Sequence, residues 1–523
     1  MSQNNKSNNY QYNSCVSKGI CSINPKTYAL QAVLIEFLKN IAKYSLEIFK
    51  HKEINSNTKN ILLNILPLAI SNAELDETSF IIALNDLKKC LFDLIKLYNS
   101  TCTETAFVEN ILGLDVFSKT TDLIKSIKFG EILINDFQKS FSLEIRDLHK
   151  LILIILKSVS INLSDIESFD ETFDDAYIEI LQALNHLLKK DIQINDLKIF
   201  MNNLAKTDCL MMLKLRKIQE NTYGKQEKTT VSFSTYPSKA ALVVGNNIKE
   251  LDRVLEALKN TDIDIYTHDD MIIAHTFPFF KQNMQLKGQY GQGTENCLID
   301  FATFPGPIIL TKNSLHNIEN LYRGRLFTTD YACPKGVIRI NNNNFEEVIQ
   351  SAQNAKGFKR GKQCESIDTG ESFENIIACI DEKLNQNSYD KILIIGLEKN
   401  SETQKKYFEK LIKYAPENFL IISFFYSQNK PNCLIFQTCY DSFMILKVFE
   451  KIKNFDIKIC AFLPSCDKYT ISQIIYLASN GVKVFVGNCA PIMLNPTFIN
   501  SLNKIYKINS LSSPREDIEK IIK

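Results

Sequence analysis

The apolar periodicity of this chain changes once, near residues 220 to 229, and that change limits the folds open to it more than any other feature. Before it, apolar residues recur at helical spacing. Leu30, Val33, Leu34, Phe37, Leu38 and Ile41 form one stripe of i, i+3, i+4 steps, with Asn24 placed as N-cap and Pro25 as first helical residue. Leu84, Leu87, Leu91, Leu94, Ile95 and Tyr98 form a second, and the segments Leu143 to Lys157, Glu171 to Lys189 and Asn195 to Lys217 are long and periodic enough to be further helices. Antiparallel bundles are the natural way to bury such stripes. No period of 20 to 50 residues is present, so a solenoid is not expected.

After the polar linker from Glu220 to Thr229, short apolar runs alternate with amphipathic segments. Ala240 to Val244 reads as a strand, followed by Gly245 and a helix from about Asn247 to Lys259; Lys391 to Ile395, Gly396 and the helix from Ser401 repeat the unit, as do Lys458 to Leu463 and the helix from Asp467. Strands alternating with helices of this length imply parallel sheets. A break is expected in the polar stretch Gly357 to Ser372, which contains FKRGKQCES. The expected architecture is therefore multidomain α plus α/β: N-terminal helical bundles over residues 1–225, then two Rossmann-like parallel-sheet domains over 226–365 and 366–523.

Composition bounds the function classes. At 523 residues the length suits roughly three domains of about 150 residues, and 45% apolar content lets each bury its own core. Lys plus Arg number 61 and Asp plus Glu 59, a net charge of +2, so no basic excess points to nucleic acid or an anionic membrane. The polar start MSQNNKSNNYQYNS lacks the apolar core of a signal peptide, and the longest apolar run, Leu151 to Leu156, is far below the ~20 residues of a membrane span. A cytoplasmic protein is expected. In such a protein the 14 cysteines are expected as buried thiols or metal ligands rather than disulfides. Cys90 and Cys209 fall on helix faces and read as core.

Ligands of open α/β sheets bind beyond the carboxyl ends of the strands. Asn246, Asp270, Ser314, Glu398 and Cys466 each lie where a strand-like run gives out, and Tyr426 follows the apolar run Phe419 to Phe425. Polar residues follow strands in most proteins, so placement alone does not make a site.

Four blocks sharpen the reading: SCVSKGICSINPKTYALQAVLIEFLKNIA (Ser14 to Ala42), YTHDDMIIAHTFP (Tyr266 to Pro278), FATFPGPIILTKNS (Phe301 to Ser314) and YRGRLFTTD (Tyr322 to Asp330). Together, in the same order along nearly the whole chain, they resemble the hybrid cluster protein family, also called prismane proteins or hydroxylamine reductases. The resemblance implies seven donor positions for a hybrid iron–sulfur–oxygen cluster, and six of them carry a different residue here. The family's Gly-His pair is Gly245 and Asn246. Its ligating Glu in YTH-x-E falls at Asp270, while His268 and His275 stand as in the family. TTNC is replaced by Thr311, Lys312, Asn313 and Ser314. The Gly-Gly-Cys turn aligns with Gly396, Leu397 and Glu398, and a further cysteine with Tyr426. Cys439 in QTCYDS keeps its cysteine, and at Glu-x-Lys the chain has Cys466 and Lys468. Iron in such a cluster takes thiolate, imidazole and carboxylate donors, so an amide, a hydroxyl and a phenol are poor substitutes.

The resemblance also implies an N-terminal cubane held by cysteines spaced C-x2-C-x8-C-x5-C. Cys15 and Cys21 fit the last two, while the first two fall at Gln3 and Lys6. Two thiolates from one chain cannot complete the usual four, which leaves relict packing cysteines or a cluster shared between two chains.

Other chemistry is missing from the sequence. Gly288, Gly291 and Gly293 in GQYGQG lack the spacing of a dinucleotide loop, and there is no phosphate loop and no C-x-x-C pair. The 20 Tyr and 33 Phe sit within apolar runs and are expected as core. Three functions follow as expectations. In the first the chain is a ligand-depleted homologue, with iron–sulfur clusters absent or incomplete, acting without redox chemistry. In the second it is an iron–sulfur oxidoreductase that reduces hydroxylamine or nitric oxide, a small polar nitrogen compound, with an electron-donor protein as partner. In the third the old cavity holds one zinc or iron on Asp270, Glu398, Cys439 and Cys466. In each, Lys468 and His268 line the pocket as its candidate catalytic residues.

Overall fold

The computed structural model describes residues 24–52, 56–71, 75–102, 121–291, 297–314, 319–396, 402–424, 430–438, 443–464, 470–487 and 496–523. The first part is helical: α1 (Pro25–Phe49), α2 (Ser56–Ala69), α3 (Glu77–Thr101), α4 (Leu123–Ser140), α5 (Leu143–Glu167), α6 (Asp174–His186) and α7 (Ile194–Tyr223). Asn24 caps α1, its side chain accepting from the Thr27 N–H at 2.8 Å, with Pro25 at the first helical position. The stripe read from the sequence, Leu30 to Ile41, is wholly buried, and α1 packs against α2, α3, α4 and α6. α4 crosses it closely, because an added Cβ on Gly130 would lie 2.0 Å from the Ala29 carbonyl oxygen. Cys90 and Cys209 are buried in this core, and burial raises both thiols, Cys90 to about 11.

The sheets follow. β1 (Thr229–Ser232) precedes β2 (Lys239–Val244), α8 (Ile248–Leu258), β3 (Ile263–His268), a 3-10 segment (Asp269–Thr276), α9 (Pro278–Lys281), β4 (Leu286–Gln289), α10 (Cys297–Thr303), β5 (Ile308–Leu310), β6 (Leu326–Thr328), β7 (Ile338–Arg339) and α11 (Glu346–Asn354). Then come β8 (Ser366–Thr369), α12 (Phe373–Gln386), β9 (Lys391–Ile395), α13 (Glu402–Tyr414), β10 (Phe419–Ser423), β11 (Cys433–Ile435), α14 (Met444–Ile452), β12 (Lys458–Leu463), α15 (Thr470–Ser479), β13 (Lys483–Val486), α16 (Pro496–Tyr506), β14 (Asn509–Ser510) and α17 (Pro514–Ile522). The strand orders are β4-β3-β2-β5-β6-β7 and β11-β10-β9-β12-β13-β14, with every pair parallel. Both are the doubly wound order 3-2-1-4-5-6 of Rossmann folds. Central strands such as β2 and β9 are buried along almost their whole length, as continuous apolar runs covered on both faces should be. The multidomain α plus α/β architecture read from the sequence is the observed one. The polar stretch from Gly357 to Ser372 holds a strand, β8, which returns to pair antiparallel with β1. The linker is also shorter than its composition suggests, since α7 continues to Tyr223.

The last three turns of α7 touch helices and loops that flank both sheets. Met212 Sδ accepts from Gln473 on α15 at 3.9 Å. The buried Arg216 guanidinium sits 5.6 Å from the Phe277 ring, just after the 3-10 segment, and 5.3 Å from the Phe443 ring, just before α14. Glu220 pairs with Lys447 on α14 at 2.6 Å, and the Tyr223 hydroxyl donates to Asp252 on α8 at 3.0 Å. These four residues lie at steps of four, four and three, one face of a helix. No helix among the described residues is long and apolar enough to cross a membrane.

Candidate functional site

The chain leaves β2 for β3 on one side and returns to the other side of β2 as β5, so the crevice of this doubly wound sheet opens between the carboxyl ends of β2 and β5. Val244 is in register with His268 on β3 and with Leu310 on β5. Gly245 and Asn246, Asp269 and Asp270, and Thr311 to Ser314 therefore follow side by side along this edge. Contact is tight at its centre. An added Cβ on Gly245, whose φ is +123°, would fall 2.2 Å from both the Thr311 and Ser314 hydroxyl oxygens, so no larger residue fits there.

The Thr311 hydroxyl donates to the Val244 carbonyl at 2.9 Å and lies 3.2 Å from the Ser314 Oγ, which leaves the Ser314 proton for Thr311. The Ser314 N–H donates to the Thr311 carbonyl at 3.0 Å. Around this turn runs a buried polar lattice. Asn247 caps α8, accepting the Glu250 N–H at 3.0 Å, and donates at 2.9 Å to Asp165 on α5. Glu250 accepts the Lys312 N–H at 2.8 Å and the Thr329 hydroxyl at 2.6 Å. Lys312 Nζ donates at 2.6 Å to Ser164 of α5, and Asp330 accepts the Asn313 N–H at 2.7 Å. Burial pushes the Glu250 and Asp330 carboxyls upward, opposed by the hydrogen bonds they accept. The loops after β2, β5 and β6 are thus fastened to one another and to the helical part.

His268, fully buried at the end of β3, faces α10. Its Nε2 is 3.0 Å from Asp300 Oδ2 and its ring packs on Phe301 at 5.2 Å between centroids. Asp300 is pressed against Gly291, where an added Cβ would meet the carboxylate at 2.2 Å. His268 Nδ1 is buried without a hydrogen-bond partner. His275, at the far end of the 3-10 segment, serves the scaffold instead. Thr267 donates to Gln289 Oε1 at 2.6 Å, so its oxygen accepts from His275 Nε2 at 2.8 Å, and Gln289 Nε2 donates to the Asp269 carbonyl at 3.0 Å. Burial lowers His275 to about 4, which keeps it neutral.

Of the candidate positions, Asn246, His268, Asp270 and Ser314 are brought to one sheet edge, Asn246 and Asp270 half-buried and Ser314 buried. Glu398, Tyr426, Cys439, Cys466, Lys468, Cys15 and Cys21 lie outside the described residues. Where the resemblance puts imidazole, thiolate and carboxylate, the described residues supply an amide, a hydrogen-bonded hydroxyl and one carboxylate, a donor set that does not fit a hybrid cluster. Among the described residues no group of three or more His, Cys, Asp or Glu is placed to hold a metal ion. Sequence reasoning missed Asp300, Glu250 and Asp165. Their partners lie 32 or more positions away in His268, Thr329 and Asn247, and no local motif announces them.

Residues 9–519 match the Prismane/CO dehydrogenase family. The chain is similar to the hydroxylamine reductase of Maridesulfovibrio salexigens, with 23% identity over 97% of this chain and 97% of the relative. It is also similar to that of Acidiphilium cryptum, with 23% identity over 96% and 94%. Among solved structures it is similar to carbon monoxide dehydrogenase IV from Carboxydothermus hydrogenoformans, with a TM-score of 0.48, 12% identity, and 97% and 89% of the two chains covered.

Proposed function

The chain belongs to the Prismane/CO dehydrogenase family, and we propose that within it this protein is a ligand-depleted member, without an intact hybrid cluster and with hydroxylamine reduction near background. The observation that supports this reading is the turn after β5. Its hydroxyl at Ser314 stands at a position where the family resemblance implies a thiolate, and it is already hydrogen-bonded to Thr311. The resemblance gives the same direction at Asn246 and Tyr426. In this reading the retained fold presents a polar crevice at the carboxyl ends of β2 and β5 that binds a small polar molecule, for which the family resemblance offers Lys468 and His268 as candidates. Neither imidazole nor ammonium supplies electrons at accessible potential, so the protein acts by binding rather than by redox turnover.

The second reading is an active enzyme drawing on an electron-donor protein, and it is favoured by the end-to-end match to relatives named hydroxylamine reductase. One experiment separates the two. Protein purified without oxygen is analysed for iron and sulfide, its absorption spectrum recorded, and hydroxylamine reduction assayed with a reduced dye. Less than one iron per chain and background turnover are expected. Several irons per chain together with turnover on the order of 1 per second or faster would establish the second reading. Asn246→His or Ser314→Cys alone is expected not to restore activity, because one correct donor leaves the other substitutions in place.

A further inference from the structure

The apolar cores divide the molecule differently from the order of the chain. All seven N-terminal helices share one continuous core with the second sheet domain, so that Leu34, Leu156 and Met212 belong to the same cluster as Ile392, Leu420 and Ile474. The first sheet domain has a separate core on each face of its sheet. Among the described residues, Ala332 alone of that domain is buried in the shared core, and Tyr223 alone from outside is buried in the domain's own. The helices and the second domain thus make one body, and residues 226–369 a lobe set against it. Over most of their boundary the fastenings are polar. Asn247 donates to Asp165 at 2.9 Å, Lys312 to Ser164 at 2.6 Å and the Tyr331 hydroxyl to Asp86 at 2.7 Å, and the Lys335 N–H donates to Asp76. Such bonds exchange for bonds to water at little net cost, whereas exposing an apolar core is expensive.

Apolar contact is concentrated where the chain enters and leaves the lobe. Tyr223, the last residue of α7, packs on Phe279 and Phe280 at 5.2 and 4.8 Å between centroids. The entering strand β1 and the leaving strand β8 are paired, with Gly224 ahead of the pair at φ +90° and Gly370 directly after it at φ +82°. Both glycines lie at the same end: an added Cβ would meet Pro278 at 3.0 Å from Gly224, and Thr276 at 2.7 Å from Gly370. The ribbon moves with the lobe, because the Glu227 N–H and the Gln226 amide both donate to Thr276, at 2.9 and 3.0 Å. At the other boundary the carboxyl edge of β2 and β5 lies against α5, since Asn247 and Lys312 follow those two strands and both bond to that helix. We propose that residues 226–369 are a hinged lobe that swings about Gly224 and Gly370, parting the edge of β2 and β5 from α5 to admit a molecule to the crevice and closing again on the polar latch. Two-point hinges at element ends, remote from the opening they control, are a standard route to domain closure. The contacts of α7 hold the pivot, and the latch on α5 holds the far side.

The test is single-molecule energy transfer on the full-length chain, with dyes attached through non-natural residues at exposed positions. One pair joins Glu347 on α11 of the lobe to Lys128 on α4; a control pair joins Lys128 to Lys410 on α13, both within the body. Two states are expected for the lobe pair and one narrow state for the control. The variant Lys312→Ala with Tyr331→Phe, which removes two latch bonds and leaves every core intact, should enrich the more open state roughly ten-fold. A single narrow state for the lobe pair in both the otherwise unaltered chain and the latch variant would overturn the proposal. So would a control pair as broad as the lobe pair, because the body would then not be one unit. The measurement on the chain with its latch intact needs no variant to fold, and an unshifted ratio in a latch variant of unchanged circular dichroism would overturn the role given to α5.

Discussion

His149, on α5, provides a direct handle on acid stability. Its ring is buried beside Phe137 at 4.7 Å between centroids. Burial, aided by the charge of Lys39, holds it down at about 3, and burial alone holds His275 at about 4. Both folded values lie below the ordinary 6.5, so each contribution to stability is fully present above pH 6.5. It is lost as pH falls from there toward the folded value, because the unfolded chain takes up protons that the native state refuses. At 1.36 kcal/mol per unit, lowering pH from 6.5 to 5.0 removes about 2 kcal/mol for each histidine, or about 4 for both, a large share of an ordinary folding free energy of about 5–15 kcal/mol. The raised carboxyls of Glu250 and Asp330 act in the opposite sense, gaining as they protonate, so the total slope is a sum and the informative quantity is a difference. His149→Phe keeps an aromatic ring of similar size and cannot titrate. Urea unfolding followed by circular dichroism at pH 7.5 and 5.0 should show the variant losing about 2 kcal/mol less than wild type between the two. Equal losses would refute the reasoning.

Gly130→Ala should destabilise by about 3 kcal/mol, since the added methyl would sit on the Ala29 carbonyl and force α4 off α1; a thermal midpoint unchanged within error would contradict the packing described. Asn247→Ala removes both the α8 cap and a donor to the buried Asp165, and should cost about 2 kcal/mol in urea unfolding where a cap alone gives about 1; a loss under 1 would mean the bond to α5 contributes nothing. On the cluster-free reading the fold rests on helix stripes and parallel strands, so the thermal midpoint should be the same with and without a strong chelator, and a drop of 10 °C or more would argue for a structural metal.

What could be read in advance was whatever depends on neighbours in sequence. The α1 stripe, its Asn24 cap, the β2–Gly245–α8 unit and the apolar runs of β9 and β12 all follow from local periodicity and capping chemistry, and the strand ends named the positions of Asn246, Asp270 and Ser314. The binding of those ends to one another did not follow. Asp165 reaches Asn247 across 82 positions and His268 reaches Asp300 across 32, and β1 joins β8 across more than 130. Such pairings are fixed by packing of whole elements, which leaves no short-range trace. α4 was also illegible: it buries only Ser126, Phe129 and Gly130, too narrow a face to give a clear stripe.

The face of α7 formed by Met212, Arg216, Glu220 and Tyr223 makes the spacing of the elements it touches, α8 beside the first sheet and α14 and α15 beside the second, a matter of helical pitch. Inserting one residue between Met212 and Tyr223 would turn the later contacts by about 100° and advance them by about 1.5 Å, taking Tyr223 away from Asp252 while Met212 stayed on Gln473. The two sheets are therefore gauged against each other through one helix, by side chains remote from the edge of β2 and β5. Over evolutionary time such a gauge is permissive: residues at the strand ends can be exchanged while the two sheets keep their distance. A chain built this way can lose one chemistry and keep the frame in which another arises.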